Sequence, residues 1–381
     1  MKEKILFVLL ASLSFCSLSA CGNNTSTNSI SHQKEDEAVK ATNGSEDTKE
    51  YNIEMVGNSF AVQFCNINVD GAKAAAKELG NVTLNYNASQ DSSQVQEQID
   101  ILNQAIAKKP DGILIAAADP DALDAQMMNA KEQGIPVVAY DISFNSPPEG
   151  SLAATVSTNN ESASGLAAEK LMQNKEFIAE VEKATAKDPI VVSCLAPDAV
   201  MTAHNQRIKG FTQSLYDLLQ KYQPGAVEIT GHTNFIKKAE KPVAVSIHTE
   251  IPPTKADADI RNQAQKMVNE NHISAVFCVN EASVTALLSA TTDGNDLDRD
   301  TGKYKDLIAI GFDAGKTMKE AVKNEYFYGA VAQDPYTMGY DALKTLVEKI
   351  NGKEVKDSDA TAIWYDHTNM DNPDISKILY D

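Results

Sequence analysis

Arginine is nearly missing from this chain: only Arg207, Arg261 and Arg299 occur among 381 residues. Guanidinium is the usual bidentate partner of carboxylate and phosphate, so its scarcity points to a neutral ligand. Cysteine is equally sparse and shows no short spacing. Apart from Cys16 and Cys21 near the N-terminus, only Cys65, Cys194 and Cys278 remain, which fits neither a disulfide framework nor a zinc site. Cys194 and Cys278 lie in apolar strand-like runs and read as small core residues. Six histidines are scattered without an HExxH pattern, and no glycine-rich phosphate loop or nucleophile set accompanies the acidic residues. Nothing beyond residue 20 resembles a membrane span. A net charge of −19 at pH 7 argues against nucleic acid as a partner. The absences leave no expected cofactor, no metal site and no enzyme.

What is present begins at the N-terminus. Lys2 and Lys4 precede a mostly apolar stretch over 5–20 that closes on Ser19 and Ala20, the layout of a secretory signal. Leu18-Ser19-Ala20-Cys21 resembles the bacterial lipobox. That resemblance implies lipidation of Cys21 and anchoring of the mature chain to the cell membrane; an ordinary signal with an incidental cysteine is the alternative. Residues 22–50 carry almost no large apolar side chain and cannot offset their ordering entropy. A signal peptide at 1–20 and a disordered tether at 21–50 are expected, the tether reaching about 30 Å on average. The folded part should begin near Tyr51.

From there, short apolar runs alternate with helical patterns. Strands are expected at 51–56, 82–86, 112–116 and 137–140. Helices are expected at 70–79, 92–107 and from Asp119-Pro120, read as cap and first helical position, to 133. The pattern resumes with strands at 153–156, 190–195, 275–279, 307–311 and 329–332. Its helices fall at 161–172, 205–219, 256–268, 281–290, 316–324 and 336–350, while 235–253 has no firm reading. Such alternation marks parallel sheets covered by helices on both faces, here in two doubly wound blocks. Each block ends an apolar strand on an aspartate, Asp141 in Val137-Val138-Ala139-Tyr140-Asp141 and Asp313 in Ile308-Ala309-Ile310-Gly311-Phe312-Asp313. Ligands of open α/β sheets bind at the carboxyl ends of strands, so two such sheets facing one another would share a cleft.

Several motifs in order carry a resemblance over about 51–350. They are Asp70-Gly71-Ala72, Asp111-Gly112-Ile113-Leu114-Ile115 and Gly134-Ile135-Pro136-Val137-Val138 ending in Asp141. Ser157-Thr158-Asn159-Asn160, Ala275-Val276-Phe277 with Asn280, Gly311-Phe312-Asp313 and Ala332-Gln333 follow. Together the chain resembles the type I periplasmic solute-binding proteins of the ribose- and galactose-binding branch. The resemblance implies an α/β fold of two doubly wound parallel-sheet lobes joined by a three-crossing hinge. An N-terminal lobe of 51–155 plus 335–358 and a C-terminal lobe of 156–334 plus 359–381 are expected. It also implies ligand contacts from Asp141, Asn280, Asp313 and Gln333, and from an aromatic ring, either Phe64 or Phe60. Capping of a turn or helix is the alternative role for the aspartates, and a hinge hydrogen bond that for Gln333. Ile142 stands where that pattern has arginine, and Asn205, also a candidate ligand contact, falls roughly at a second arginine position. Arg207, two residues on, is expected on another face of its helix, which makes the pocket less cationic. Phe144 is a candidate to fill the space, Phe312 reads as core or ligand contact, and Trp364 reads as structural.

The acidic cluster Asp293, Asn295, Asp296, Asp298 and Asp300 lacks the glycine and final carboxylate of a calcium loop and reads as solvated. The function expected is that of an extracytoplasmic solute-binding protein, a monomer held by its N-terminal lipid. It would deliver a sugar-like molecule to the membrane permease of an ABC importer. A ligand-sensing subunit for a sensor kinase or chemoreceptor is the alternative. Pentose, hexose, inositol, nucleoside and furanose-like ligands all remain open.

Overall fold

The computed structural model describes residues 49–380 except 92, 143, 271 and 272. The expected signal, Cys21 and nearly all of the tether therefore lie outside the described residues. Among the described residues, no helix is long and apolar enough to cross a membrane.

The first half of the chain runs β1 (Tyr51–Gly57), α1 (Gln63–Leu79), β2 (Val82–Ala88), α2 (Val95–Ala107), β3 (Gly112–Ile115), α3 (Asp124–Glu132), β4 (Val137–Tyr140) and β5 (Ala154–Thr158). A second series follows as α4 (Asn160–Leu171), α5 (Lys175–Lys183), β6 (Ile190–Leu195), α6 (Thr202–Leu219), β7 (Val227–Thr230) and β8 (Val245–Glu250). It continues through α7 (Asp257–Glu270), β9 (Ile273–Cys278), α8 (Glu281–Ala290), β10 (Ile308–Phe312), α9 (Lys316–Lys323) and β11 (Gly329–Ala332). The last elements are α10 (Pro335–Ile350), β12 (Ser358–Ala360), β13 (Ile363–Tyr365) and α11 (Pro373–Ser376).

The strands form two sheets, ordered β12-β5-β4-β3-β1-β2 and β13-β11-β10-β9-β6-β8-β7. Every pairing is parallel except that of β13 with β11. The chain passes from one sheet to the other after β5, after β11 and after β12. The first sheet extends through Thr158 and includes Ser358–Ala360, so its strands end about three residues beyond the lobe boundaries expected at 155 and 358.

Burial explains the apolar runs. Every residue of β3 and β4 is buried, as strands covered on both faces require. Val69, Ala72, Leu343 and Leu346 from α1 and α10 cover one face of the first sheet; Leu102, Ile106 and Met127 from α2 and α3 cover the other. In the second sheet Phe177, Phe211 and Leu215 lie on one side, and Met267, Leu287 and Met318 on the other. Helices α1 and α10 cross closely at two glycines. A Cβ on Gly71 would fall on the Tyr336 carbonyl oxygen, and one on Gly339 on that of Asn68.

Several boundaries differ from the sequence reading. Helix α1 begins at Gln63 rather than 70, which places Phe64 in its first turn. Its N-cap, Val62, makes no side-chain cap, so packing on α10 rather than a local start signal sets this end. Helix α3 begins at Asp124, and the Asp119 carboxylate instead accepts the Asp121 N–H within a turn. The unread stretch holds β8, and α5, β7, β12 and β13 were also unread. The last two have three residues each, too few to show a period. Trp364 sits on β13 opposite Val331, with its indole over Gly329.

Candidate functional site

The chemistry-bearing residues gather where strands end. Asp141 follows β4 and Asp313 follows β10, and both adopt left-handed backbone, at φ 59° and 80°. Their N–H groups donate to corresponding places on the next strand, Asp141 to Val156 O (2.9 Å) and Asp313 to Val331 O (2.8 Å). Non-glycine residues adopt this conformation only where surrounding structure enforces it, as functional sites commonly do. The two lobes thus use one turn to turn one aspartate each toward the cleft.

The residue between them is Arg207. It is expected on another face of its helix from Asn205; in the structure that face meets Asp313, which corrects the less cationic pocket expected from it. Helix α6 starts at Thr202, and its packing brings Arg207 against Asn160 of α4 and Asp313 after β10. Its Nε donates to Asn160 Oδ1 (2.8 Å) and its Nη1 to the Val279 carbonyl (3.1 Å). Nη1 also lies 3.7 Å from Asp313 Oδ2, and the guanidinium stacks 3.8 Å from the Phe312 ring centroid. Arg207 is 6% exposed. A buried charge persists only when paired and hydrogen-bonded, and here it is both. Phe312 is fully buried and forms the floor beneath the guanidinium.

Asp141 lives differently. Among the described residues, no hydrogen bond reaches its carboxylate. Burial pushes its pKa up to about 7; nearby Arg207 pulls it down and Asp313 pushes it up. By contrast Asp313 Oδ1 accepts Gln333 Nε2 at 2.7 Å, and its carbonyl accepts the Tyr365 hydroxyl at 3.0 Å. Gln333 is held at both ends, since its Oε1 accepts Thr158 Oγ1 at 2.9 Å. That bond ties the first crossing to the second.

Asn280 caps α8: its Oδ1 accepts Ser283 N (3.0 Å) and Ser283 Oγ (2.9 Å). This leaves the amide to face His204 Nε2 at 3.2 Å. Nε2 must then accept, so Nδ1 carries the proton and donates to Asp198 Oδ2 at 3.0 Å. Burial, the largest influence, lowers the His204 pKa against the pull of Asp198, consistent with this neutral tautomer. Sequence reading had grouped His204 with the scattered histidines. The signal for it was its helical spacing to Arg207, visible only once α6 is known to begin at Thr202.

The other candidates divide. Phe64 is 8% exposed and packs with Met338 and Ala360, whereas Phe60 is 38% exposed and meets Tyr86 edge to face at 5.3 Å. Asn205 donates its amide to the Ala199 carbonyl at 3.2 Å. Phe144 is buried in the core beside Ile142 and Leu152. Cys65 gives its thiol to Asn58 Oδ1 at 3.1 Å, and burial pushes it up to about 12, so it is no nucleophile. At the cleft rim the lobes touch directly, through Thr202 Oγ1 and Asn145 Oδ1 at 3.2 Å. A cavity of about 640 Å³ lined by Lys49, Asp111 and Pro136 opens at the opposite ends of β1, β3 and β4. Among the described residues, no group of three or more potential ligands is placed to hold a metal ion.

With this geometry in place, comparison with known proteins adds context. A family model described as a periplasmic binding protein domain matches residues 53–354. The ribose import binding protein of Bacillus subtilis is 25% identical over 75% of this chain and 77% of its own length. A solved structure titled an ABC transporter, LacI family transcriptional regulator from Brachyspira murdochii superposes with a TM-score of 0.75. It is 27% identical and covers 87% of this chain and 99% of its own. An ABC transporter solute-binding protein from Agrobacterium vitis, solved with bound D-fucose, shares the fold at TM-score 0.62 and 22% identity. There the coverage is 86% of this chain and 100% of that one.

Proposed function

The chain belongs to the family of periplasmic binding protein domains, an extracytoplasmic family, and from that premise we propose a specific role. It is a lipid-anchored solute-binding protein that encloses a neutral sugar or sugar-like ligand between two lobes and hands it to an ABC importer. Asp141 carries the reading. Its carboxylate is half-buried, raised in pKa by burial and without a donor among the described residues, and sugar hydroxyls are donors that would meet it with charge-assisted bonds. Asp313, Asn280 and Arg207 supply acceptor and donor groups from the facing lobe. Phe64, with Phe60 nearer the rim, supplies an apolar face for sugar C–H groups. Gln333 orients Asp313 and links the crossings, and Asn205 keeps its Oδ1 and one N–H beyond the bond to Ala199. Arg207 is matched by Asp313, so its charge does not call for an anionic ligand.

Ligand binding would hold the lobes shut through contacts that exist only in the closed form. Lipid on Cys21 would keep the closed form near its permease, raising its effective concentration there. The test is a thermal-shift and calorimetric screen of neutral monosaccharides. A ligand at a hundred times its Kd should add about 2.7 kcal/mol. Stabilisation by anionic compounds alone would overturn the reading. Replacement of Cys21 by alanine should release the protein from the membrane fraction.

A further inference from the structure

The last few residues of a chain usually fray unless something ties them down. Here Ile378 is 2% exposed, and Met370, Ile375 and Leu379 pack on the apolar core beside β9 and β10. Tyr380 goes further. It belongs to the packing of that core and also to the cluster of Phe64, Met338 and Ala360 in the other lobe. Its ring meets Phe64 at 5.8 Å between centroids and 76° between planes. The Ala314 amide, next to Asp313, and the Asp313 and Glu281 carboxylates lie close enough to influence the phenol, whose pKa is raised chiefly by burial and further by the two carboxylates. Arg207 in turn feels Tyr380. One tail residue therefore touches the aromatic side of the cleft in one lobe and the charged side in the other.

We propose that Tyr380 is a ligand-contacting wall of the cleft, supplied by the chain's own C-terminus, and that it restricts the site to a single compact sugar ring. The inference rests on the sugar-binding reading. Phe64 and Tyr380 form an aromatic corner, and the phenol lies near enough to Asp313 for each to influence the other's surroundings. A monosaccharide can lie against that corner. A second sugar ring extending past Phe64 would run into Tyr380.

The experiment is calorimetric titration of the intact protein and of Tyr380→Ala and Tyr380→Phe. The probes are D-ribose, D-arabinose and D-fucose against maltose and cellobiose, with circular dichroism to check folding. The expected result is monosaccharide binding by the parent, weakened about tenfold in Tyr380→Ala, with the preference over disaccharides falling by at least as much. Tyr380→Phe, which keeps the ring and loses the hydroxyl, should fall in between. If Tyr380→Ala does not fold, Tyr380→Leu carries the same comparison. Unchanged affinity and selectivity would overturn the assignment while leaving the sugar reading intact. So would tighter binding by Tyr380→Ala, which would make the tail a plug. Absence of binding by the parent and the variants alike would overturn the sugar reading and this inference with it.

Discussion

Asp141 and Asp313 occupy the same turn in two different lobes, yet their surroundings are opposite. Asp313 is met by Gln333 at 2.7 Å and by Arg207 at 3.7 Å, over the Phe312 ring. The Asp141 carboxylate accepts no hydrogen bond among the described residues, and burial lifts its pKa to about 7. The second lobe thus arrives with its polar groups already organised, while the first brings a half-buried carboxylate that no described protein donor holds. A ligand entering the cleft gains most where the protein has left most undone. Preorganisation on one side lowers the ordering cost of binding; the open demand on the other makes closure depend on what is bound.

The largest way to break this contrast is Arg207→Met. It strands Asp313 in a buried site without its cation, a kind of change that typically costs about 3–5 kcal/mol. Denaturant unfolding should show that loss, together with loss of sugar binding. A melt unchanged by the substitution would mean the second lobe does not depend on this pair.

Asp141→Asn should act in the opposite direction. The native protein holds a proton on Asp141 between its ordinary pKa of 3.8 and about 7 that the unfolded chain gives up. The resulting stability is complete below 3.8 and is lost as pH rises toward 7. The asparagine variant lacks that decline and should melt several degrees higher than the parent at pH 8, while binding sugar more weakly. His204, held neutral, contributes the reverse slope as pH falls below its ordinary value. The difference between parent and variant melts, rather than either curve alone, is therefore the measurement.

Asn280 separates capping from contact. Asn280→Ala should lose about 1 kcal/mol of stability with the α8 cap, and Asn280→Ser should recover most of it. If the amide also touches ligand, both variants bind sugar poorly, and calorimetry distinguishes the two roles. Asn205→Ala is the smallest change expected, within about 0.5 kcal/mol in stability. A large effect on affinity would restore Asn205 to the place now taken by Arg207.

Much of this was legible in the chain. The buried runs at Ile113-Leu114-Ile115 and Val137-Val138 read directly as parallel strands, because burial on both faces demands continuous apolar residues. Asp141 and Asp313 were legible because each follows such a strand immediately. Arg207 was misjudged because two residues along a helix turn a side chain by roughly 200°, so its aim depends on where α6 starts and how it packs. Phe64 was read on a loop because α1 begins without a capping side chain and is extended by contact with α10.

Sequence alone therefore determined the two parallel sheets and the aspartates that end them, since these follow from local periodicity and turn chemistry. Tertiary structure alone decided the pairing of Arg207 with Asp313, the neutral state of His204 and the return of Tyr380 to Phe64. Those depend on where long side chains and a distant chain end come to rest. Phe64 and Tyr380 are far apart in the chain, and no local pattern encodes a contact made only after both lobes have folded.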